Sequence, residues 1–343
     1  MSVKENILPW LSDAWSRLLD RREALPHALL IQGRPGLGKT HLALSFAKRL
    51  LCEVAQGAEP ACGACPSCGW FEQGNHPDFR LVQPDALTAA AGREGSEGSD
   101  AGEGPATSKQ IRIDQVRDLR AFLRIGTHRG GLRVTLIRPA EAMNPATANA
   151  LLKSLEEPSA KTLMLLVSSD PQRLLPTVRS RCQAVPVVVP DVGVASTWLA
   201  AQGIADADAA LSFAAGAPLA ALEQADDADR RGILVELLAD PGLDPVRGAE
   251  QLLGTALPDT VMWLQKWIYD LVRVRSGGSP RYHPGASERL AGLARRTDPI
   301  RLTRLARRVA EARALALHPL NPKLFLEDLL MQYRKVSGAP DGG

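Results

Sequence analysis

Apolar positions divide the chain into two stretches with different periodicity. Leu11 to Leu25 carries apolar residues at helical spacing. Ala28–Gln32 (ALLIQ) is a short apolar run followed at once by glycines and then by a helical pattern through Ala47, which reads as strand, loop and helix. Helical spacing resumes with Val116, Leu119 and Leu123 at i, i+3 and i+7, behind Asp114 as a candidate N-cap. Val134–Ile137 (VTLI) predicts a buried strand. Asn144-Pro145 predicts an N-cap and first-turn pair opening a helix with Leu151, Leu152 and Leu155 on one face, stopped at Pro158. Leu163–Val167 (LMLLV) and Val185–Val189 predict two further strands. Strands alternating with helices imply an α/β fold with a parallel sheet covered on both faces. Beyond Pro190 the strand signals stop. Ser196 to Glu223 reads as a small helical unit, and Arg230 to Tyr333 as entirely helical, including an amphipathic run from Val261 to Val274.

Two segments break this pattern. Cys52 to Cys68 is rich in cysteine. Residues 86–108 are rich in Ala, Gly, Glu and Ser with Leu87 as the one large aliphatic residue, so they are expected to form a disordered insertion that cannot bury enough to fold.

Composition narrows the class. Across 343 residues, 45% hydrophobic and 23% charged is ordinary for a soluble protein, and 4% aromatics leaves the cores to Leu, Ala and Val. Lys+Arg 41 against Asp+Glu 38 gives +3, too balanced to reveal a nucleic-acid surface by net charge. No apolar run reaches membrane-spanning length, and Met1 to Trp10 lacks a secretory h-region, so a cytoplasmic location is expected.

Gly33-Arg34-Pro35-Gly36-Leu37-Gly38-Lys39-Thr40 matches the phosphate-binding loop G-x-x-x-x-G-K-[ST] in full, with the required strand before and helix after. Gly33, Gly36 and Gly38 let backbone N–H groups approach phosphate. Lys39 would reach the β/γ-phosphates and Thr40 would place its hydroxyl on Mg²⁺, so ATP or ADP with Mg²⁺ is the expected ligand. Hydrolysis further needs an acid on the metal and a carboxylate to orient water, at the end of a neighbouring strand. The VTLI strand ends instead in Arg138-Pro139-Ala140-Glu141, with Glu141 a displaced carboxylate two or three residues late. Efficient hydrolysis by this chain alone is not expected.

Cys52, Cys62, Cys65 and Cys68, spaced C-x9-C-x2-C-x2-C, suit a structural Zn²⁺ held by four thiolates. An iron–sulfur cluster is the alternative, although the compact fourth cysteine of ferredoxin-type runs is missing. Cys182 reads as a small buried hydrophobe. Arg301, Arg304 and Arg308 share a helical face, with Arg295, Arg296 and Arg307 nearby; a solvated or interface face is favoured over phosphate contact. The six histidines show no paired catalytic spacing, and there is no two-metal carboxylate site for polymerase chemistry.

Taken together, these motifs resemble the clamp-loader AAA+ family of bacterial DNA polymerase III. The resemblance rests on Pro26-His27-Ala28, the cysteine insertion after the loop helix, Ile113-Asp114-Gln115-Val116-Arg117, Asn149 through Pro158 (NALLKSLEEP), Ser180-Arg181-Cys182, and Asn321-Pro322-Lys323-Leu324. It implies a AAA+ P-loop domain over residues 1–189, carrying the cysteine insertion at 52–68 and the 86–108 insertion. A helical lid over 190–227, an all-α oligomerising collar over 228–337 and a tail at 338–343 would follow. It also implies work alongside tau/gamma-type motor subunits and a delta subunit, loading a sliding clamp on primed DNA, with no membrane partner. By the same resemblance Arg181 is an arginine finger reaching a neighbour's γ-phosphate, and Ser168 or Ser169 occupies the first sensor position. Gly216-Ala217-Pro218-Leu219 places Leu219 where motor members carry a sensor arginine. That loss and the missing acids imply a stationary subunit whose intact loop holds nucleotide structurally or is a relic. Any polymerase (nucleotidyltransferase) label would then belong to the holoenzyme.

Overall fold

The five strands that build the sheet are short, and the most buried ones are almost wholly aliphatic. In the computed structural model, which describes residues 7–57, 59–93, 108–125, 127–128 and 131–337, they are β1 (Ala28–Gln32), β2 (Phe79–Val82), β3 (Arg133–Ile137), β4 (Thr162–Ser168) and β5 (Gln183–Pro186). All pair in parallel in the order β2-β3-β4-β1-β5. Every residue of β3 and β4 is buried, as expected of strands covered on both faces. One face carries Ala28, Leu30, Ile137, Met164 and Leu166, which pack with Val116, Leu119, Leu151 and Leu155 of two covering helices.

The helices of this first unit, Met1–Asp191, are α1 (Ser12–Asp20), α2 (Lys39–Leu51), α3 (Pro66–Glu72), α4 (Asp85–Arg93), α5 (Ile113–Arg124), α6 (Pro145–Glu156) and α7 (Pro176–Arg179). Helix α6 starts as the sequence dictates: the Asn144 side chain accepts the Thr147 N–H, and Pro145 takes the first helical position.

Three expectations are corrected. Helix α5 is capped at Arg112 rather than Asp114, because the Gln115 side chain accepts the Arg112 N–H at 2.8 Å and starts the helix two residues sooner. Strand β5 ends at Pro186 rather than running over Val185–Val189. Its register with Leu29–Gln32 fixes Gln183–Pro186 against β1, and Val188 and Val189 are exposed beyond it. The expected insertion at 86–108 begins as helix α4, since an alanine-rich run needs little burial to be helical; residues 94–107 lie outside the described residues. The tail at 338–343 also lies outside them.

The second unit, Val192–Gly343, is helical throughout its described residues. Three helices, α8 (Val192–Ala201), α9 (Ala207–Phe213) and α10 (Pro218–Glu223), precede six more among the described residues. These are α11 (Ala228–Ala239), α12 (Pro245–Leu252), α13 (Leu257–Arg275), α14 (Ser287–Arg296), α15 (Pro299–Leu315) and α16 (Pro322–Ser337). Trp263, Leu264, Trp267 and Leu271 of α13 form the centre of their core. The Trp267 indole donates to the Tyr333 hydroxyl at 2.9 Å, and that hydroxyl donates to the Leu238 carbonyl at 2.7 Å. Phe213 of α9 is held by cations: Lys266 stands 3.6 Å from its ring centre and Arg231 4.5 Å, while Lys266 also donates to the Phe213 carbonyl.

Candidate functional site

The phosphate-binding loop joins the end of β1 to the start of α2, and its glycines answer two separate demands. Gly36 (φ 73°) and Gly38 (φ 85°) hold left-handed conformations that an L side chain adopts only under strain. Gly33 is extended; its requirement is room, because a Cβ there would collide with the Val187 carbonyl. Gly38 directly precedes Lys39, so the loop delivers the N-terminus of a thirteen-residue helix to any bound phosphate. The Lys39 ammonium is buried and donates to the Arg34 carbonyl within the loop at 2.6 Å. Burial lowers its pKa to about 8, opposed by the charge of Glu141.

The far wall comes from the ends of β3 and β4. Arg138, at the β3 end, turns its guanidinium to the Gln83 side chain at 2.9 Å, and burial lowers its pKa. Arg138 thus takes the strand-end place of an acid without serving as one. Glu141 lies in the single turn Ala140–Ala142 that follows. Its Oε1 accepts the Ser169 N–H at 2.9 Å, just past the end of β4. Its Oε2 is buried and unpartnered, as is the hydroxyl of Ser168. The Ser168 carbonyl accepts the Gly33 N–H at 3.3 Å, which ties the β4 end to the loop's first residue. Left-handed glycines ahead of a helix N-terminus, a buried ammonium and unpartnered oxygens fit a Mg²⁺-nucleotide.

Arg181 follows α7 at the surface. Its guanidinium pairs with Glu156 at 2.7 Å and donates to the Thr177 carbonyl at 3.0 Å, with about a third of the side chain exposed (36%). An exposed pair of this kind contributes at most about 1 kcal/mol, so a phosphate can replace the carboxylate at little cost. Cys182 is half-buried rather than fully buried as expected, packs against the hydrophobic cluster of the sheet, and has its pKa raised to about 11 by burial.

The four cysteines converge. Cys52 lies 3.9 Å from Cys65 and Cys62 4.0 Å from Cys68, and all four sulfurs fall within 4.8 Å of one another. A tetrahedral ion with metal–sulfur bonds of about 2.3 Å sets sulfurs about 3.8 Å apart, so the set can hold such an ion. Backbone N–H groups of Ala55 and Cys62 point at the Cys52 sulfur, each at 3.4 Å, and that of Cys65 at the Cys62 sulfur at 3.3 Å. At Cys52 burial pushes the pKa up, but these N–H bonds outweigh it and bring the thiol to about 6. The balance at Cys65 is also downward, whereas burial raises Cys68.

The bracing of this loop was not foreseen from sequence. Arg49, buried on α2, donates to the Glu59 carbonyl at 2.6 Å and the Gly57 carbonyl at 2.9 Å. Ser67 bonds the Leu51 carbonyl at 2.5 Å and His76 at 2.8 Å. The cysteine loop is thereby fastened to the helix that the phosphate loop begins. The remaining sequence candidates lie in the second unit. Leu219 is half-buried in α10, while Arg307 pairs with Glu311 and Arg308 with Asp328 on exposed helical surface. No described helix is long and apolar enough to cross a membrane.

Comparison with known proteins accounts for almost the whole chain. Residues 11–190 match the family described as DNA polymerase III, delta subunit, and residues 219–335 match its C-terminal counterpart. DNA polymerase III subunit delta' of Pseudomonas aeruginosa is 33% identical over 97% of this chain and 99% of its own length. The Escherichia coli subunit of the same name is 31% identical over 94% of each. A gamma subunit-related protein of Thermotoga maritima covers 95% of this chain and 99% of its own at 18% identity, with a TM-score of 0.46. On the strength of the full-length sequence matches, the chain belongs to the delta-prime subunit family of DNA polymerase III.

Proposed function

We propose that this chain is the stationary subunit of a clamp loader, helping to place a ring-shaped sliding clamp on primed DNA. The observation that carries the reading is the end-to-end match to relatives named delta', through both the sheet unit and the helical unit. Its partners are tau/gamma-type motor subunits and a delta subunit. The short helices over 190–227 act as a lid, and the helical remainder to residue 337 as the oligomerising collar. Arg181 serves in trans: exposed, planar and always charged, it suits the γ-phosphate of a nucleotide held by the adjacent motor subunit. The chain's own phosphate loop, through Gly33, Gly36, Gly38, Lys39 and Thr40, holds ATP or ADP with Mg²⁺ as a static ligand. Bound Mg²⁺ would neutralise phosphate charge. Hydrolysis is disfavoured because Arg138 and Pro139 stand where acids should, and Leu219 cannot act as a sensor cation. A Zn²⁺ held by Cys52, Cys62, Cys65 and Cys68 is structural, since four thiolates leave no open position.

The competing reading, an autonomous ATPase, is favoured by one observation: Glu141 returns to the β4 end through its bond to Ser169. Reconstitution separates the two. Motor, delta and clamp components should load clamp onto primed DNA only when this chain is added, and the isolated chain should not turn over ATP. Equal loading without the chain, or steady hydrolysis by the chain alone, contradicts the proposal.

A further inference from the structure

We infer that Glu141 is the carboxylate through which this chain couples nucleotide binding to Mg²⁺, standing in for the acid missing from the end of β3. The inference rests on the nucleotide-binding reading above.

The placement follows from two hydrogen bonds and the sheet order. Strand β4 lies between β1 and β3. The Gly33 N–H at the start of the loop bonds the Ser168 carbonyl at 3.3 Å, and the next N–H, that of Ser169, bonds Glu141 Oε1 at 2.9 Å. Glu141 is therefore tied to the residue that adjoins the loop's own anchor. A carboxylate four residues past the end of β3 is thus carried back to the end of β4. Arg138, at the β3 end, is committed to Gln83.

The second observation concerns Oε2. That oxygen is buried and has no hydrogen-bond partner, an unfavourable state for a carboxylate in a site with nothing further to bind. Lys39 is near enough for the Glu141 charge to act on it, yet its ammonium donates to the Arg34 carbonyl instead. An anionic carboxylate close enough to act on Lys39 repels a polyphosphate held at that lysine. A divalent cation between them reverses the sign. Mg²⁺ in nucleotide sites is characteristically bound through one or two carboxylates together with the phosphates, and retains several waters. Glu141 thus makes the site selective for the Mg²⁺ complex over the free nucleotide. The residue serves binding, which is compatible with a subunit that hydrolyses poorly.

The test is titration of the full chain with a fluorescent ADP analogue, once with excess Mg²⁺ and once with EDTA. The wild type should bind about tenfold more tightly with Mg²⁺. Glu141→Gln keeps an oxygen acceptor for the Ser169 N–H and removes only the charge. It should bring the two affinities to within about twofold, partly by tightening Mg²⁺-free binding. Glu141→Asp keeps the charge and should retain part of the Mg²⁺ preference, which separates loss of charge from damage to the turn. A Glu141→Gln chain that keeps the full preference overturns the inference and leaves nucleotide binding intact. A wild type that binds in neither condition overturns both.

Discussion

Removing the metal from the cysteine set should destabilise the sheet unit by an amount that can be worked from the loop it closes. An ion bound by Cys52 and Cys68 cross-links a segment of 17 residues, counting both ends (68 − 52 + 1). By the chain-entropy argument used for disulfides, a link of that span contributes about 3 kcal/mol. In a unit of 191 residues this corresponds to a fall in melting temperature of about 6–12 °C. Two features localise the damage. Arg49 still holds the Gly57 and Glu59 carbonyls, and Ser67 still holds Leu51, so the loop frays without pulling α2 apart. Loss of the cation also removes the ion that holds four sulfurs within 4.8 Å of one another, so local folding is lost with the metal. Calorimetry before and after chelation should show the shift, with metal content followed by elemental analysis. Hydrogen exchange should speed up most over residues 52–72, and in β1 and β4 only as far as the global loss of stability requires. An unchanged melting curve in a chain whose metal content has fallen to near zero refutes the reasoning.

Other outcomes follow from single contacts. Asp78 and Arg133 are both buried, with Arg133 also stacked on Phe122, so Asp78→Ala removes the carboxylate facing a buried guanidinium and should cost about 3–5 kcal/mol in urea unfolding; a loss below about 1 kcal/mol contradicts this. Gly33→Ala should abolish binding of a fluorescent nucleotide, because the added methyl displaces the loop from Val187; wild-type affinity would show that the strand end can yield. Burial of Lys266, helped by Arg231 and Arg313, lowers its pKa from 10.5 to about 8. Its folded value lies below the unfolded one, so from about pH 8 to 10.5 the unfolded chain binds the extra proton and stability rises with pH. The gain across that window should be about 3 kcal/mol relative to Lys266→Met, and parallel pH profiles of the two proteins would refute it.

The sequence made the buried strands and the candidate ligand sets legible because their signals are local. VTLI and LMLLV are continuous apolar runs, and both become fully buried strands. Strand β2 escaped notice because Phe79–Val82 is four residues long with Arg80 exposed in the middle, and its place is fixed only by pairing with β3. The valines after Pro186 looked like a strand, yet hydrogen bonding to β1 comes from the more polar residues before them. The same division holds at the site. The glycines and Lys39 lie in one unbroken motif, and the cysteines lie within seventeen residues. The braces depend on packing that no local pattern records: Arg49 to Glu59, Ser67 to His76, Glu141 to Ser169, and Arg181 to Glu156. Glu141 was visible as a late carboxylate, but its return to the β4 end depends on the path of the turn after β3.

The central claim is that this chain completes a neighbour's site rather than running its own. The direct measurement is DNA- and clamp-stimulated ATPase of a complex reconstituted with motor, delta and clamp components, comparing this chain with Arg181→Ala. The exposed Arg181–Glu156 pair contributes at most about 1 kcal/mol, so the variant should fold and assemble normally. The account predicts a fall in stimulated turnover of at least about a thousandfold at the adjoining site, the low end of what an arginine finger contributes. Undiminished turnover in a fully assembled complex would contradict it.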